Sequence, residues 1–347
     1  MLHLNLCANQ GAVGGGEVML LAIAQAARSL GHEVTIIAPE QPCEVAREAA
    51  ALGFSTVALP GDSTAGYMRG LRRWDARERT GILWCNGLRP AVATAGHRRR
   101  IVHLHQEPHG VQRVLMTIAR VGSMVTLVPS EFMGRRIPRT RVLENWVDEP
   151  PSTRDSSVRR DLKSPVIGYL GRLSSDKGVP ILCRAVATLR EGHRNPTLLL
   201  AGESRFVSEA DATRVDAAIA ALGATAVRKG WMERAEFFES VDLAVFPSVW
   251  DEPFGLVVAE AMAARCPFVV SDAGALPEVA GPGYPFVAAR DDAGSLAAVI
   301  EDALSEPTED VVDRAQQRWH VKYSPEGGRE RLHQLLIDIL RKGDGKS

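Results

Sequence analysis

Two glutamates eight residues apart, Glu252 and Glu260, stand in the mostly apolar stretch WDEPFGLVVAEAMAARCPF. Asp251 or Glu252 can cap a helix there, and Pro253 suits a first helical position. The backbone N–H groups of Phe254, Gly255, Leu256 and Val257 would then be free, and such a helix end favours an anion. On a continuous helix the second carboxylate lies about 12 Å along the axis from the first, turned by about 80°. The pair is expected to be staggered, one carboxylate near each end of an extended ligand whose phosphate sits at the helix mouth. Carboxylates accept hydrogen bonds and suit sugar hydroxyls. The apolar neighbours of Glu260 argue against an ordinary solvated position.

A second candidate is GRLSSDKG, Gly171 to Gly178. It follows an apolar strand and precedes a helix. Arg172 offers a planar fork of donors and Lys177 a point charge, a combination suited to a diphosphate. Lysine is scarce, six against 35 arginines, and one of the six is in this loop. A third stretch, GAVGGGE, places Gly15, Gly16 and Glu17 between the first strand and the first helix. Its register is not that of a dinucleotide loop. It reads as a turn with Glu17 complementing the helix dipole, or as a loop bordering a substrate. HLHQEPHG carries three histidines. Strand alternation puts His103 and His105 on one face and leaves His109 in a loop. No pair has the HExxH spacing, and no D-x-D occurs, so no metal is expected.

These groups need a scaffold. HLNLC, EVTIIAP, ILWCN, IVHLH and MVTLVPS read as strands in the first half, and EVMLLAIAQAARSLG as a helix ended by Gly31. DEPPSTRDSS, Asp148 to Ser157, reads as a linker. The pattern then restarts with PVIGYLG, TLLLAGE, ATAVRKG, LAVFPS and PFVVSD. Strands alternating with helices predict an α/β chain of two Rossmann-like, doubly wound parallel-sheet domains. Ligands of such sheets bind outside the carboxyl ends of the strands, so a cleft between the halves is the expected site. The expected division is residues 1–152, residues 153–318 and a last helical segment, 319–347.

Charge is unevenly placed. Residues 1–152 hold 17 Arg, no Lys and 13 acidic residues, a balance of +4; the remainder holds 24 basic and 29 acidic residues, −5. RGLRRWDARER, GHRRR and RRIPRTR carry the excess. They form either a solvated Arg-rich surface or a face that meets an acidic acceptor or anionic lipid. The five scattered cysteines suggest a reducing, cytoplasmic compartment. No run suggests a signal peptide or a bilayer span.

The motifs together resemble the GT-B glycosyltransferases of family 4, retaining nucleotide-sugar enzymes, over nearly the whole chain. GGGE, HLHQE, VPSEFMGRRI, LENWVD, GRLSSDKG, LAGES, the stretch from VDLAVF to VVSD, and GALPEV carry the likeness. The resemblance implies that Arg172 and Lys177, with Gly171 in their loop, hold a donor pyrophosphate. It implies that Glu252 and the backbone of Phe254, Gly255 and Leu256, with Val257 following, hold the donor sugar and distal phosphate. Glu260 would bind ribose, Gly230 to Met232 with Trp231 would border the base, and His105 would be the active-site histidine. The resemblance also implies that 1–152 is the acceptor side, 153–318 the nucleotide-sugar side, and 319–347 a helical segment packing back on the first domain; UDP is the nucleotide expected from the family. No cofactor is implied; the nucleotide-sugar is a co-substrate. The acceptor, a small molecule, glycan or lipid-linked hydroxyl, is not defined by the sequence, and no nucleic-acid partner is expected. Asn145-Trp146-Val147-Asp148 departs from the family's Asn-Gly-Val-Asp, and Trp146 is expected to reshape the interdomain side of the cleft. A UDP-sugar epimerase of the same architecture, or a non-catalytic nucleotide-sugar-binding protein, would satisfy the same donor motifs.

Overall fold

The computed structural model describes residues 1–60, 63–150, 163–192, 194–204, 207–305 and 308–344. Most of the expected linker, including residues 151–157, lies outside them. The chain divides into two compact units, Met1–Trp146 with Pro325–Ser347, and Val147–Ser324.

The first unit runs β1 (His3–Ala8), α1 (Gly15–Ser29), β2 (Glu33–Pro39), α2 (Glu44–Ala51), β3 (Ser55–Leu59), α3 (Thr64–Arg77), β4 (Ile82–Asn86), α4 (Leu88–Ala93), β5 (Arg100–His103), α5 (Val111–Ala119), β6 (Ser123–Val128), α6 (Glu131–Arg136) and β7 (Arg141–Val142). Among the described residues its sheet has seven strands in the order β3-β2-β1-β4-β5-β6-β7, with every pairing parallel. The second unit runs β8 (Val166–Leu170), α7 (Val179–Glu191), β9 (Thr197–Ala201), α8 (Glu209–Ala221), β10 (Ala226–Gly230), α9 (Arg234–Ser240), β11 (Leu243–Phe246), α10 (Leu256–Ala263), β12 (Phe268–Ser271), α11 (Leu276–Ala280), β13 (Val287–Ala288), α12 (Ala293–Ser305) and α13 (Glu309–Arg318). Its six described strands take the order β10-β9-β8-β11-β12-β13, again parallel. Helices cover both faces of such sheets, so the central strands are largely apolar and buried. All four residues of β11 and of β12 are buried.

Each sheet reverses its winding once, between β1 and β4 and between β8 and β11. The loops at the carboxyl ends of these strands diverge, and the gap between them is where doubly wound sheets take ligands.

The final helix, α14 (Pro325–Asp344), belongs to the first unit. It buries Leu332, Leu335, Leu336 and Ile339. Arg331 Nε lies 3.1 Å from a Glu144 carboxylate oxygen, and Arg141 Nη1 lies 2.8 Å from Asp338. Trp146 is buried against this helix. A Cβ on Gly328 would lie 2.2 Å from Trp146 Cδ2, so the indole occupies space that only glycine leaves open. Trp146 thus has a packing role within the first unit.

Arg100 also departs from expectation. Beside the exposed Arg98 and Arg99, its side chain is fully buried. Nε donates to the His97 carbonyl at 3.0 Å, Nη1 to Ala91 at 3.1 Å, and Nη2 to Ala119 at 3.0 Å and Val121 at 2.5 Å. It satisfies carbonyls at the C-terminal ends of α4 and α5, groups with no partner inside their own helices.

Candidate active site

In the second unit, Gly171–Gly178 follows β8 and Pro247–Gly255 follows β11, on the two sides of the switch point. Lys177 joins these loops: its Nζ donates to Glu252 Oε1 at 2.5 Å. Ser248 Oγ donates to the same oxygen at 2.5 Å, and Ser271 Oγ fixes the Ser248 carbonyl at 2.6 Å. The ammonium also lies 5.4 Å from the centre of the Trp250 ring. Glu252 is buried and its backbone is held by GALPEV. Ala275 N–H donates to the Glu252 carbonyl at 2.8 Å. Gly274 adopts φ +63°, and a Cβ there would fall 2.3 Å from Glu252 N. The glycine of this motif thus positions the glutamate.

Arg172 does not share the anion partner of Lys177. Its guanidinium pairs with Asp176, and its backbone carbonyl accepts from Tyr169 OH at 2.6 Å. A cavity of about 340 Å³ is lined by Arg172, Ser174, Asp176, Val207, Ser208 and Asp211. Three buried polar atoms about these loops have no hydrogen-bond partner among the described residues: Arg172 Nε, Ser174 Oγ and Trp250 Nε1. Gly171 lies at the loop's start, its N–H donating to Ala201 at 3.0 Å.

The helix carrying Glu260 begins later than the sequence reading placed it. Gly255 is the N-cap of α10, in a left-handed conformation at φ +99°, and Leu256 is its first residue. Asp251 and Glu252 are not caps, and Pro253 and Phe254 precede the helix. Asp251 instead accepts from Arg290 Nη1 at 2.6 Å. Phe254 is buried, edge-on to Tyr323 with ring centres 5.4 Å apart. The helical arithmetic relating Glu252 to Glu260 therefore fails, because four residues of that interval are loop. Leu256 and Val257 stand in the first turn, half-buried.

Glu260 is buried, and burial pushes its carboxyl above the usual range, against the pull of Arg234. Arg234 Nε lies 2.5 Å from Glu260 Oε1. Sequence reading missed this arginine; 26 positions separate the pair, and only the tertiary fold brings α9 to α10. Trp231 and Met232 follow β10, Trp231 69% exposed and Met232 buried.

In the first unit, Gly15 and Gly16 lie inside the first turn of α1, and Gly14 is its N-cap. They are helical, where a turn or loop was expected. The Gly16 carbonyl accepts from Asn86 Nδ2 at 2.8 Å, and Asn86 Oδ1 lies 2.7 Å from His105 Nε2. Since the carbonyl can only accept, the amide must point its nitrogen at Gly16 and its oxygen at His105. His105 Nε2 therefore carries the proton, leaving the Nδ1 lone pair available. Burial pushes the His105 pKa down to about 4, so the ring is neutral at ordinary pH. His103 stacks obliquely on it at 4.1 Å and is itself fully buried beside Trp84. The two rings share a face, as strand alternation predicts. Glu17 is buried, and burial raises its carboxyl to about 7. Asn86, the link from α1 to His105, had no signal beyond ending a strand.

Among the described residues, no group of three or more His, Cys, Asp or Glu side chains is placed to hold a metal ion. No described helix is long and apolar enough to cross a membrane.

Two parallel doubly wound units, each with its polar groups at the carboxyl ends of its switch-point strands, define the GT-B class of fold. The family model described as glycosyl transferases group 1 matches residues 153–319, and that of glycosyltransferase family 4 matches residues 13–148. The chain belongs to the family 4 glycosyltransferases. It is 32% identical to a Mycobacterium tuberculosis glycogen synthase over 217 residues, 59% of this chain and 50% of that protein. The chain thus spans about half the length of that curated relative. Among solved structures, Anabaena Alr3699/HepE in complex with UDP-glucose superposes with a TM-score of 0.81 at 19% identity, covering 97% of this chain and 100% of that one. The Thermosynechococcus elongatus sucrose-phosphate synthase gives 0.81 at 17% identity, covering 99% and 100%.

Proposed function

We propose that the protein transfers a sugar from a UDP-sugar to a hydroxyl of an acceptor, with retention at the anomeric carbon and without a metal ion. The observation that carries this reading is the set of donors around Gly171–Gly178. Lys177 and the partnerless Arg172 Nε and Trp250 Nε1 lie about one switch point, a supply of positive charge and N–H groups suited to a diphosphate. In transfer, the acceptor oxygen bonds to the anomeric carbon as the bond from that carbon to the phosphate oxygen breaks. The acceptor proton passes to the departing phosphate oxygen. Arg172, Lys177 and the N-terminus of α10 would stabilise the charge that develops on the diphosphate. Glu252, which accepts from Lys177 and Ser248, would turn to sugar hydroxyls on donor binding. Glu260, held by Arg234, would take the ribose. The neutral His105, with its Nδ1 lone pair, serves as a hydrogen-bond acceptor for a sugar hydroxyl. The UDP-glucose complex of the Anabaena protein, a fold neighbour, supports the choice of donor class.

Release of nucleoside diphosphate from candidate nucleotide-sugars, followed with and without a pool of acceptors, tests the reading. Acceptor-dependent UDP release with a glycosylated product is expected. Acceptor-independent conversion would make the protein an epimerase. Binding without turnover would leave a nucleotide-sugar-binding protein.

A further inference from the structure

Nine large apolar side chains are exposed among the described residues, and five of them, Val111, Val114, Ile118, Val121 and Met124, fall within fourteen positions of the first unit. Val111, Val114 and Ile118 recur at spacings of three and four on α5, so they form one stripe along the helix. Val121 continues it past the helix end, and Met124 follows on β6. The C-terminal end of the helix is fastened: the Ala119 and Val121 carbonyls both accept from the buried Arg100. The stripe is thus an outward face on a rigid base.

The charge around this stripe has one sign. Residues 110–124 contain Arg113 and Arg120 and no acidic residue. Arg120 Nη2 donates to the Arg139 carbonyl at 2.6 Å, which brings a third arginine alongside. On the other flank, the exposed Arg98 and Arg99 follow His97, whose carbonyl approaches so closely that a Cβ on Gly122 would lie 2.6 Å from it. Glu107 is engaged, 2.6 Å from Arg136 Nε and 3.7 Å from Arg113 Nη2.

We infer that the α5 stripe docks on an anionic lipid surface, its aliphatic side chains entering the headgroup boundary and the surrounding arginines meeting lipid phosphates. An apolar helix face bordered by cations and free of acidic residues fits the edge of an anionic bilayer. This inference is independent of the donor reading, because it concerns a surface of the first unit and its test requires no turnover.

The test is sedimentation of the full chain with vesicles of equal phosphatidylglycerol and phosphatidylcholine, and with vesicles of phosphatidylcholine alone. Binding to the anionic vesicles, weakened by raised salt and feeble on neutral ones, is expected. Val114→Glu with Ile118→Glu should lower partitioning more than about tenfold. Arg98→Gln with Arg99→Gln should lower it by about fivefold or more while leaving the apolar stripe intact. All four positions are exposed, and thermal melts of both variants check that each remains folded. A wild-type chain that stays in solution with anionic vesicles would overturn the inference, as would a folded Val114→Glu, Ile118→Glu variant that binds like wild type. A dimer abolished by that variant, with no vesicle binding, would assign the stripe to a second copy and also overturn it.

Discussion

Lys177 Nζ lies 2.5 Å from Glu252 Oε1, joining the loops that follow β8 and β11. The cation expected at the diphosphate and the carboxylate expected at the sugar are thus partners of one another. On the proposed reading, donor binding exchanges this pair for two sets of contacts on one ligand. Lys177→Ala should therefore weaken UDP binding by about 10- to 150-fold, the loss of contacts worth roughly 1.5–3 kcal/mol. Glu252→Ala should leave UDP affinity equal or raise it, since it frees the lysine, while lowering transfer. Calorimetry in EDTA on both variants and the double variant measures their coupling. A Glu252→Ala variant that loses UDP along with donor use would refute the division of roles.

Arg234 should prove indispensable to Glu260. Removing it leaves a buried carboxylate without its charged partner. The arginine is half-exposed, so solvent screens the pair, and a loss of roughly 1–3 kcal/mol is expected from Arg234→Ala. Glu260→Gln in the same chain should recover part of that loss, because a neutral amide is cheaper to bury. Urea melts of the three variants check this. If Glu260 holds the ribose, Glu260→Ala should weaken UDP and UDP-sugar alike.

Glu17 should make the protein less stable as pH rises. Its folded pKa of about 7 lies above the ordinary 4.5. Below 4.5 both folded and unfolded states hold the proton; between 4.5 and about 7 the unfolded chain releases it first. Stability is therefore lost across that window, by up to about 3 kcal/mol. Glu17→Gln should match wild type near pH 4 and exceed it at pH 8. Parallel melts at the two values decide it, and an unchanged difference would contradict the burial argument.

His105 should act in the opposite direction. Its folded pKa of about 4 lies below the ordinary 6.5, so its contribution is present above pH 6.5 and is lost as pH falls towards 4. His105→Gln should lose less stability than wild type over that range. His105→Ala should lower kcat strongly while leaving UDP affinity within a few-fold. Near-normal turnover in the folded variant would remove His105 from the chemistry.

Gly328→Ala should destabilise the first unit by about 1–3 kcal/mol, because its Cβ would meet the Trp146 indole at 2.2 Å. Adding Trp146→Leu should relieve part of the cost. Thermal melts of single and double variants report the compensation.

The local order of residues determined what depends on short spacing. Alternating apolar runs specified parallel strands and covering helices, because burial on both faces requires them. GRLSSDKG named its cation and arginine, and the paired alternation in IVHLH put His103 and His105 on one side. Interactions that cross many residues were decided only by the tertiary structure. The sequence could not pair Arg234 with Glu260, place Asn86 between Gly16 and His105, or show that Arg100 is interior while its neighbours are not. It also placed the start of α10 too early. Pro253 and the acidic residues before it satisfy local helix rules, but the contacts of Glu252 with Lys177, Ser248 and GALPEV hold that segment out of the helix. Local propensity is worth a few tenths to about 1 kcal/mol per residue, less than a buried carboxylate gains from its partners. That difference is why the motif was legible in the sequence and its geometry was not.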